Sequence, residues 1–429
     1  MPGFAASVPA AVAAPEPAEA PDSGATPRFP RVMIALRHRD FRLFWSGNFL
    51  SNIGTWMQNV AQGWLVLQLT NSPFWLGMVG FASTIPILLL ALVGGVIADH
   101  MDKRRLLLTT QSAMMVFAFA MAALSWTHHI NVYGIALLAM GTGIAMALNT
   151  PSYQALVPQL VPREELTNAI ALNAAQFNMS RVVGPTLGGF AMALVGVSGN
   201  FFLNGLSYLA VIVALSRIRY GKSVPLEEGQ FWRKLREGFQ YLFSREEMAL
   251  LVCLVAIGSL LAVPYLTFVP YFAREILRSD ERGLGILMAC SGAGAFMAAV
   301  TMAFKTRLLR RGRFVVFSGL GFYAAIIAFT FSRSFRLSCA LSVVSGYCMI
   351  LMVATMNTLL QHLAEDKMRG RVMSIYSTAF LGLPPIGSLV AGLLSHKISA
   401  AHAIAGMAAL AFVASAALFA GRRVLRHLD

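Results

Sequence analysis

From about residue 41 onward the chain alternates long apolar runs with short polar connections. The runs fall near 41–69, 74–98, 106–127, 131–151, 168–196, 199–216, 248–273, 283–304, 313–332, 337–360, 371–395 and 400–421. Each is close to or above the ~20 residues that an α-helix needs to cross a hydrocarbon core. Backbone groups in lipid must find partners inside their own segment, so runs of this length predict helices. The pattern predicts an all-α polytopic membrane protein with twelve transmembrane helices in two six-helix halves, both termini on one side.

Several spans carry polar residues in ordered positions. In the first, Asn48, Asn52, Thr55, Asn59 and Gln62 recur in steps of four, three, four and three, which puts them on one helix face. Five such groups facing lipid would be costly, so the stripe is expected to line a cavity; interhelical hydrogen bonding is the alternative. The fifth span has a similar row, Asn173, Gln176 and Ser180, followed by Arg181. An arginine at that depth costs about 2.5–3.5 kcal/mol on insertion scales, so it is expected to face a wet cavity. It then either anchors a ligand or is bonded locally, to Asn178 and to carbonyls freed by Pro185. The seventh span, with Pro264 and Pro270 bracketing Tyr265 and Phe268, reads as a bending wall in contact with an apolar ligand or as a kinked packing helix.

Composition agrees: 57% of residues are apolar and 12% charged, against about 25% charged in soluble domains. The net charge of +15 changes the picture only through its placement. Of 34 Lys and Arg, 27 lie in the N-terminal arm, alternate loops and the C-terminus; six lie on the opposite side, and Arg181 is within a span. Basic loops stay in the cytoplasm, so both termini are expected there, in a bacterial inner membrane, and a nucleic-acid partner is set aside. The four cysteines, Cys253, Cys290, Cys339 and Cys348, all fall inside spans and read as small packing residues.

Five segments follow. Residues 1–36 form a disordered tail and basic arm, rich in alanine, proline and acid over 1–27 and lacking a signal peptide. A first half covers 37–218 and a second 248–421, and 422–429 is a basic tail. Between the halves, 219–247 holds Phe231, Leu235, Phe239 and Leu242 at helical spacing, as in an amphipathic helix on the membrane surface or a linker with an interfacial anchor. The halves repeat one another weakly: Gly/Pro clusters at 184–189 and 382–388 recur roughly 200 residues apart.

The connection between spans two and three, "GGVIADHMDKRRLL", combines small residues, acids and a basic cluster. Gly95-x-x-x-Asp99 followed by Lys103, Arg104 and Arg105 resembles the signature loop of the major facilitator superfamily. His100 replaces the Arg or Lys usual there, and Asp102 a common Gly. The resemblance covers the chain from about residue 37 and implies that the loop helps latch the two halves during alternating access. A basic turn that only sets topology would explain Lys103–Arg105 but not Asp99 or the glycines. "RVVGPTLGG", with Gly184, Pro185, Gly188 and Gly189, is similar to the fifth-helix GPxxGG motif of exporters in the same superfamily. Pro185 cannot donate to the carbonyl of residue 181, and the glycines let another helix pack closely.

The stretches 39–73 and 149–173 resemble the branch containing the enterobactin exporter, the transmembrane secretion effectors. That likeness implies a secondary transporter exporting amphipathic small molecules, drug- or siderophore-like, with proton antiport as the expected coupling. An uptake facilitator or lysolipid flippase of the same fold is the alternative, and a non-transporting sensor a lesser one. The expected partners are a small-molecule substrate and membrane lipids, with the protein a monomer. No phosphate loop, metal-spaced His/Cys set or nucleophile elbow is present, so no enzyme, cofactor or metal is expected.

Overall fold

The computed structural model describes residues 31–218, 231–304 and 311–421, with side chains at 31–32, 91–100, 231–235, 303–304, 311 and 366 outside that description. The chain is all-helical, and among the described residues ten helical stretches are long and apolar enough to cross a membrane. The first half contains α1 (Arg39–Thr70), α2 (Pro73–His100), α3 (Lys103–Trp126), α4 (Val132–Leu156) and α5 (Leu166–Arg217). The second contains α7 (Glu246–Leu261), α8 (Tyr265–Tyr271), α9 (Glu281–Phe304), α10 (Arg311–Phe331), α11 (Phe335–Leu363), α12 (Asp366–Gly382), α13 (Pro384–Ile398) and α14 (Ala400–Gly421). A short α6 (Phe231–Phe243) precedes the second half.

The 52-residue α5 is two helices joined at Gly196, whose φ of 73° lies in the left-handed region that glycine enters without cost. Its arms run in opposite directions along α1. Gly184 lies against Ile53 and Trp56, and Gly188 against Met57; on the return, Gly54 meets Asn204 and Ser207, and Gly47 meets Ala210 and Val211. The helix passes through Pro185 with no non-helical residue there. α1 is less apolar than those ten stretches because of its polar stripe.

Prolines set the other breaks. The seventh span parts between α7 and α8, where Ala262 and Val263 both donate to Gly258 O and Pro264 has no N–H to continue the ladder. Pro270 stays inside α8, followed by a π-helical turn over Phe272–Ile276. Pro384 restarts the chain at α13 after α12 ends at Gly382.

The basic arm is docked where a flexible tail is expected: Arg31–Arg37 forms a 3₁₀ turn, and Ala35 N donates to Asn168 Oδ1 at 3.1 Å. Arg37 and His38 both bind Glu165, which is buried at the start of α5. The second half repeats the device. Arg245 binds Glu365 at 2.6 Å, Glu365 N donates to the Tyr241 hydroxyl at 3.1 Å, and Arg371 binds Glu237 at 2.7 Å, tying α6 to α12. A helix occupies Phe231–Phe243 in this connection; Leu242 is buried, and Phe239 and Phe243 stack on each other, exposed. Phe231 and Leu235 belong to the side chains not described, and residues 1–30, 219–230 and 422–429 lie outside the described set.

Two seams join the halves. Gly189 of α5 meets Gly285 of α9 backbone to backbone, and Val182 packs on Gly292. Gly77 of α2 meets Ser388 and Gly392 of α13, and farther along Leu88 packs on Gly382. Both seams run from the end opposite the basic turns to mid-bundle. Small residues let the backbones approach, the usual source of helix association in lipid.

Candidate functional site

Arg181 lies in the bundle where the halves meet and is half-buried. α5 carries it, one turn before the glycines that press α5 onto α1 and α9. On one side the guanidinium carbon stands 5.9 Å from the centroid of the Trp56 ring of α1, within cation–π range. On the other, Nη2 is 3.9 Å from the Met349 sulfur of α11, in the opposite half. Among the described residues no carboxylate pairs with it, and Asn178 instead donates to Ala174 O. Phe177 meets Trp56 edge-on at 6.3 Å and is exposed, which extends an aromatic wall beside the cation.

The stripe on α1 divides. Asn52 is half-buried and Asn59 exposed, and neither makes a side-chain hydrogen bond among the described residues. They flank Trp56, four residues after one and three before the other. Asn48 is buried and donates to Phe44 O at 3.0 Å; Thr55 donates to Ser51 O and meets the Tyr208 hydroxyl at 3.2 Å. Gln62 is buried. The neighbouring face holds a buried network the stripe did not reveal: Asn204 donates to Gln58 at 2.7 Å, and Ser207 to Asn204.

Two expected lining residues sit elsewhere. Gln176 is 1% exposed and donates to the Tyr153 hydroxyl at 3.1 Å, with Tyr153 donating to Asn173 at 2.9 Å. Asn173 and Gln176 of this row thus bond to α4 through Tyr153, while Ser180 donates to Gln176 O of its own helix and lies near Phe49 O of α1. Tyr265 is buried in the core of the second half, edge-on to Phe322 and Phe329, with its hydroxyl 2.9 Å from Ser345.

In the basic turn, Gly95 and Asp99 fall among the side chains not described, although the backbone there is helical. Asp102 caps α3 by accepting from Arg105 N at 2.8 Å, which gives the acid at this position a local use. Lys103 is buried, and Arg104 donates to Ser216 O at 2.6 Å, satisfying a carbonyl at the end of α5. Arg104 thus docks the turn onto its own half, and Arg105 alone of the three is exposed, placed to meet lipid headgroups.

A further contact had no signal in periodicity. Trp64 Nε1 of α1 donates to Glu281 Oε1 of α9 at 2.9 Å, across the halves and beside the Gly189–Gly285 crossing. Among the described residues no cluster of three or more His, Cys, Asp or Glu is placed to hold a metal ion, and the four cysteines are free.

The chain resembles known transporters along most of its length. It is 23% identical to the staphyloferrin A transporter of Staphylococcus aureus, over 81% of this chain and 88% of that protein. It is 24% identical to the multidrug efflux pump Tap of Mycolicibacterium fortuitum (78% and 84%) and 23% identical to the enterobactin exporter EntS of Escherichia coli (83% and 85%). Its fold superposes on a bacterial homologue of the human lysosomal transporter Spinster, solved inward-facing and unoccupied, with a TM-score of 0.68 at 12% identity, over 91% of this chain and 96% of that one. The family model described as transmembrane secretion effector matches residues 32–428. With nearly every described helix inside that match, the chain belongs to the transmembrane secretion effectors, a family of major facilitator superfamily transporters.

Proposed function

We propose that the protein is a secondary transporter of the bacterial inner membrane that exports amphipathic small molecules bearing an anionic group, by alternating access. Twelve spans in two halves, with both termini cytoplasmic, are the topology of this reading. The turn at Gly196 divides α5 into two spans, and the basic turns mark the cytoplasmic end. The seams meeting at the opposite end support an inward-facing state, in which substrate enters from the cytoplasm. The siderophore and drug transporters among the relatives support the export direction and the substrate class. Proton antiport is the coupling proposed, since no phosphate loop is available to use ATP directly.

One observation carries the proposal: Arg181, a half-buried cation touching both halves, has an aromatic neighbour and, among the described residues, no carboxylate partner. A cation kept at that cost in the membrane is explained by a ligand that supplies the missing charge. Asn52, Asn59, Trp56 and Phe177 give the rest of the wall a mixture of amide and aromatic surface suited to an amphipathic molecule. The Asp99 turn at the cytoplasmic end serves in this reading as the latch of the outward-facing state.

The test is transport in proteoliposomes with and without a pH gradient, using paired anionic and neutral substrates of similar size. Arg181→Ala is expected to abolish anionic transport and spare the neutral compound. Equal loss of both, with lowered thermal stability, would make Arg181 structural and defeat the proposal.

A further inference from the structure

We propose that Trp64 and Glu281 form the lock that holds the two halves together at the end of the bundle opposite the basic turns, and so set the balance between the two access states. The inference rests on the alternating-access reading above. Its evidence is separate from the Arg181 site.

Most of the remaining contacts along that end are of one kind, apart from the edge-on ring pair of Phe74 and His396 at 6.4 Å. Gly189 against Gly285, Gly63 against Pro270, Gly80 against Thr267 and Gly77 against Gly392 are close approaches of backbone and small groups. Such contacts attract through dispersion and have no preferred direction, so they let helices part without a discrete step. The indole–carboxylate bond differs. It is directional, its acceptor is charged, and it spans the interface at 2.9 Å. Among the described residues, the other side-chain contact of this type between the halves is the long one from Arg181 to the Met349 sulfur.

Glu281 is also placed to act as an anion without a cationic partner. It is the first residue of α9, capped by Asp280, whose Oδ1 accepts from Gly283 N at 3.0 Å. The free N–H groups of that first turn favour negative charge nearby. Among the described residues no Lys, Arg or His is within ion-pair distance of it. Trp64 is 4% exposed, and Glu281, which accepts from its N–H, is half-buried. Glu281 touches the first half twice, through its side chain on Trp64 and through its backbone carbonyl, which faces Gly189. When the halves part, both donor and acceptor gain water, so the bond opposes opening without forbidding it.

The experiment reads conformation directly. Cys253, Cys290, Cys339 and Cys348 are replaced by serine, and Asn59→Cys is introduced as a reporter on the exposed part of the α1 stripe. Right-side-out vesicles are treated with a membrane-impermeant thiol reagent, so labelling reports opening toward the outside. Trp64→Phe keeps the ring but removes the donor, and Glu281→Leu removes the acceptor. Each is expected to raise outside labelling threefold or more. The double variant should do no more than either single one, and Glu281→Gln, whose amide oxygen still accepts, should lie between wild type and Glu281→Leu. Trp64→Phe is the conservative variant should Glu281→Leu fail to fold. Wild-type labelling in a folded Trp64→Phe protein, or independent and additive effects in the double variant, would overturn the lock. The readout needs no substrate. Raised labelling in a protein that moves no substrate would leave the lock standing and remove the transport reading, whereas unchanged labelling in an active transporter would do the reverse.

Discussion

The Arg181 guanidinium stands over the Trp56 ring, 5.9 Å from its centroid, and the two residues belong to helices that the GPxxGG glycines press together. The aromatic face stabilises the cation without neutralising it, which leaves the charge free for a ligand. Trp56→Ala is therefore expected to weaken anionic substrates by about 1 kcal/mol, roughly a fivefold rise in KM at unchanged abundance. Arg181→Lys should weaken them more, because an ammonium cannot reproduce a two-pronged contact. Transport assays over a range of substrate concentrations separate the two; a Trp56→Ala protein with wild-type KM would take the indole out of the site.

The glycine seams make a prediction opposite in sign to the usual expectation for a small substitution. A methyl group on Gly189 would meet the Gly285 backbone, and one on Gly77 would meet Ser388 O and the Gly392 backbone. Backbone cannot swing aside as a side-chain tip can. Gly189→Ala and Gly77→Ala should hold the halves apart at that end, lowering transport at least tenfold while the protein still inserts. Labelling of a cavity cysteine from outside should rise in both; tight closure in either variant would show that the seam can rearrange.

Burial separates the two clamps that tie each half to the short helix before it. Glu165 has 9% of its side chain exposed and holds two partners, Arg37 and His38; Glu365 has 61% exposed. An exposed pair contributes about 0–1 kcal/mol. A buried carboxylate serving two donors contributes more, about 1–3 kcal/mol when removed. Glu165→Ala should lower the apparent Tm in detergent by several degrees and Glu365→Ala by little. Equal shifts would mean that the loops, not these pairs, carry the docking.

The span limits were legible because apolar runs of membrane length leave the backbone one solution. Eight of the twelve expected runs match one helix within about five residues, whereas 168–196 and 199–216 fall on the single long α5, and 248–273 and 371–395 each fall on two helices. The break at Pro264 was legible too, since a missing N–H is written in the residue itself. What periodicity could not reveal was the neighbour that each face meets. Gln176 shares its spacing with a cavity stripe, yet its face turns to Tyr153 of α4. Tyr265 was expected against a ligand and packs into the Phe322–Phe329 cluster. Trp64 and Glu281 are 217 residues apart, and only the docking of one half on the other brings them together. Trp56 was within reach of sequence reasoning: it lies between Asn52 and Asn59 on the face singled out, but as an aromatic residue it left the polar pattern unmarked.

The same division within α1 yields the sharpest test of the cavity assignment. Period alone treats Asn48, Asn52, Thr55, Asn59 and Gln62 alike, because each falls on one face. The structure separates them by what each amide or hydroxyl already does and by burial. Asn48 and Thr55 bond to carbonyls of their own helix; Gln62, Asn52 and Asn59 have no side-chain partner among the described residues, but Gln62 is buried while Asn52 is half-buried and Asn59 exposed. In a protein lacking its native cysteines, Asn52→Cys and Asn59→Cys should react with a water-soluble thiol reagent from the cytoplasmic side. Asn48→Cys and Gln62→Cys should react at least tenfold more slowly, as should cysteines at Val60 and Leu67, which are 5% and 0% exposed. An anionic substrate should slow labelling at Asn52 and Asn59 if it sits against Trp56 and Arg181, and a neutral compound of the same size should slow it less. Uniform reactivity along all five positions would mean that water reaches the whole face and that the division drawn here is wrong. Protection by the neutral compound equal to that by the anion would keep the cavity but remove the charge of Arg181 from substrate recognition.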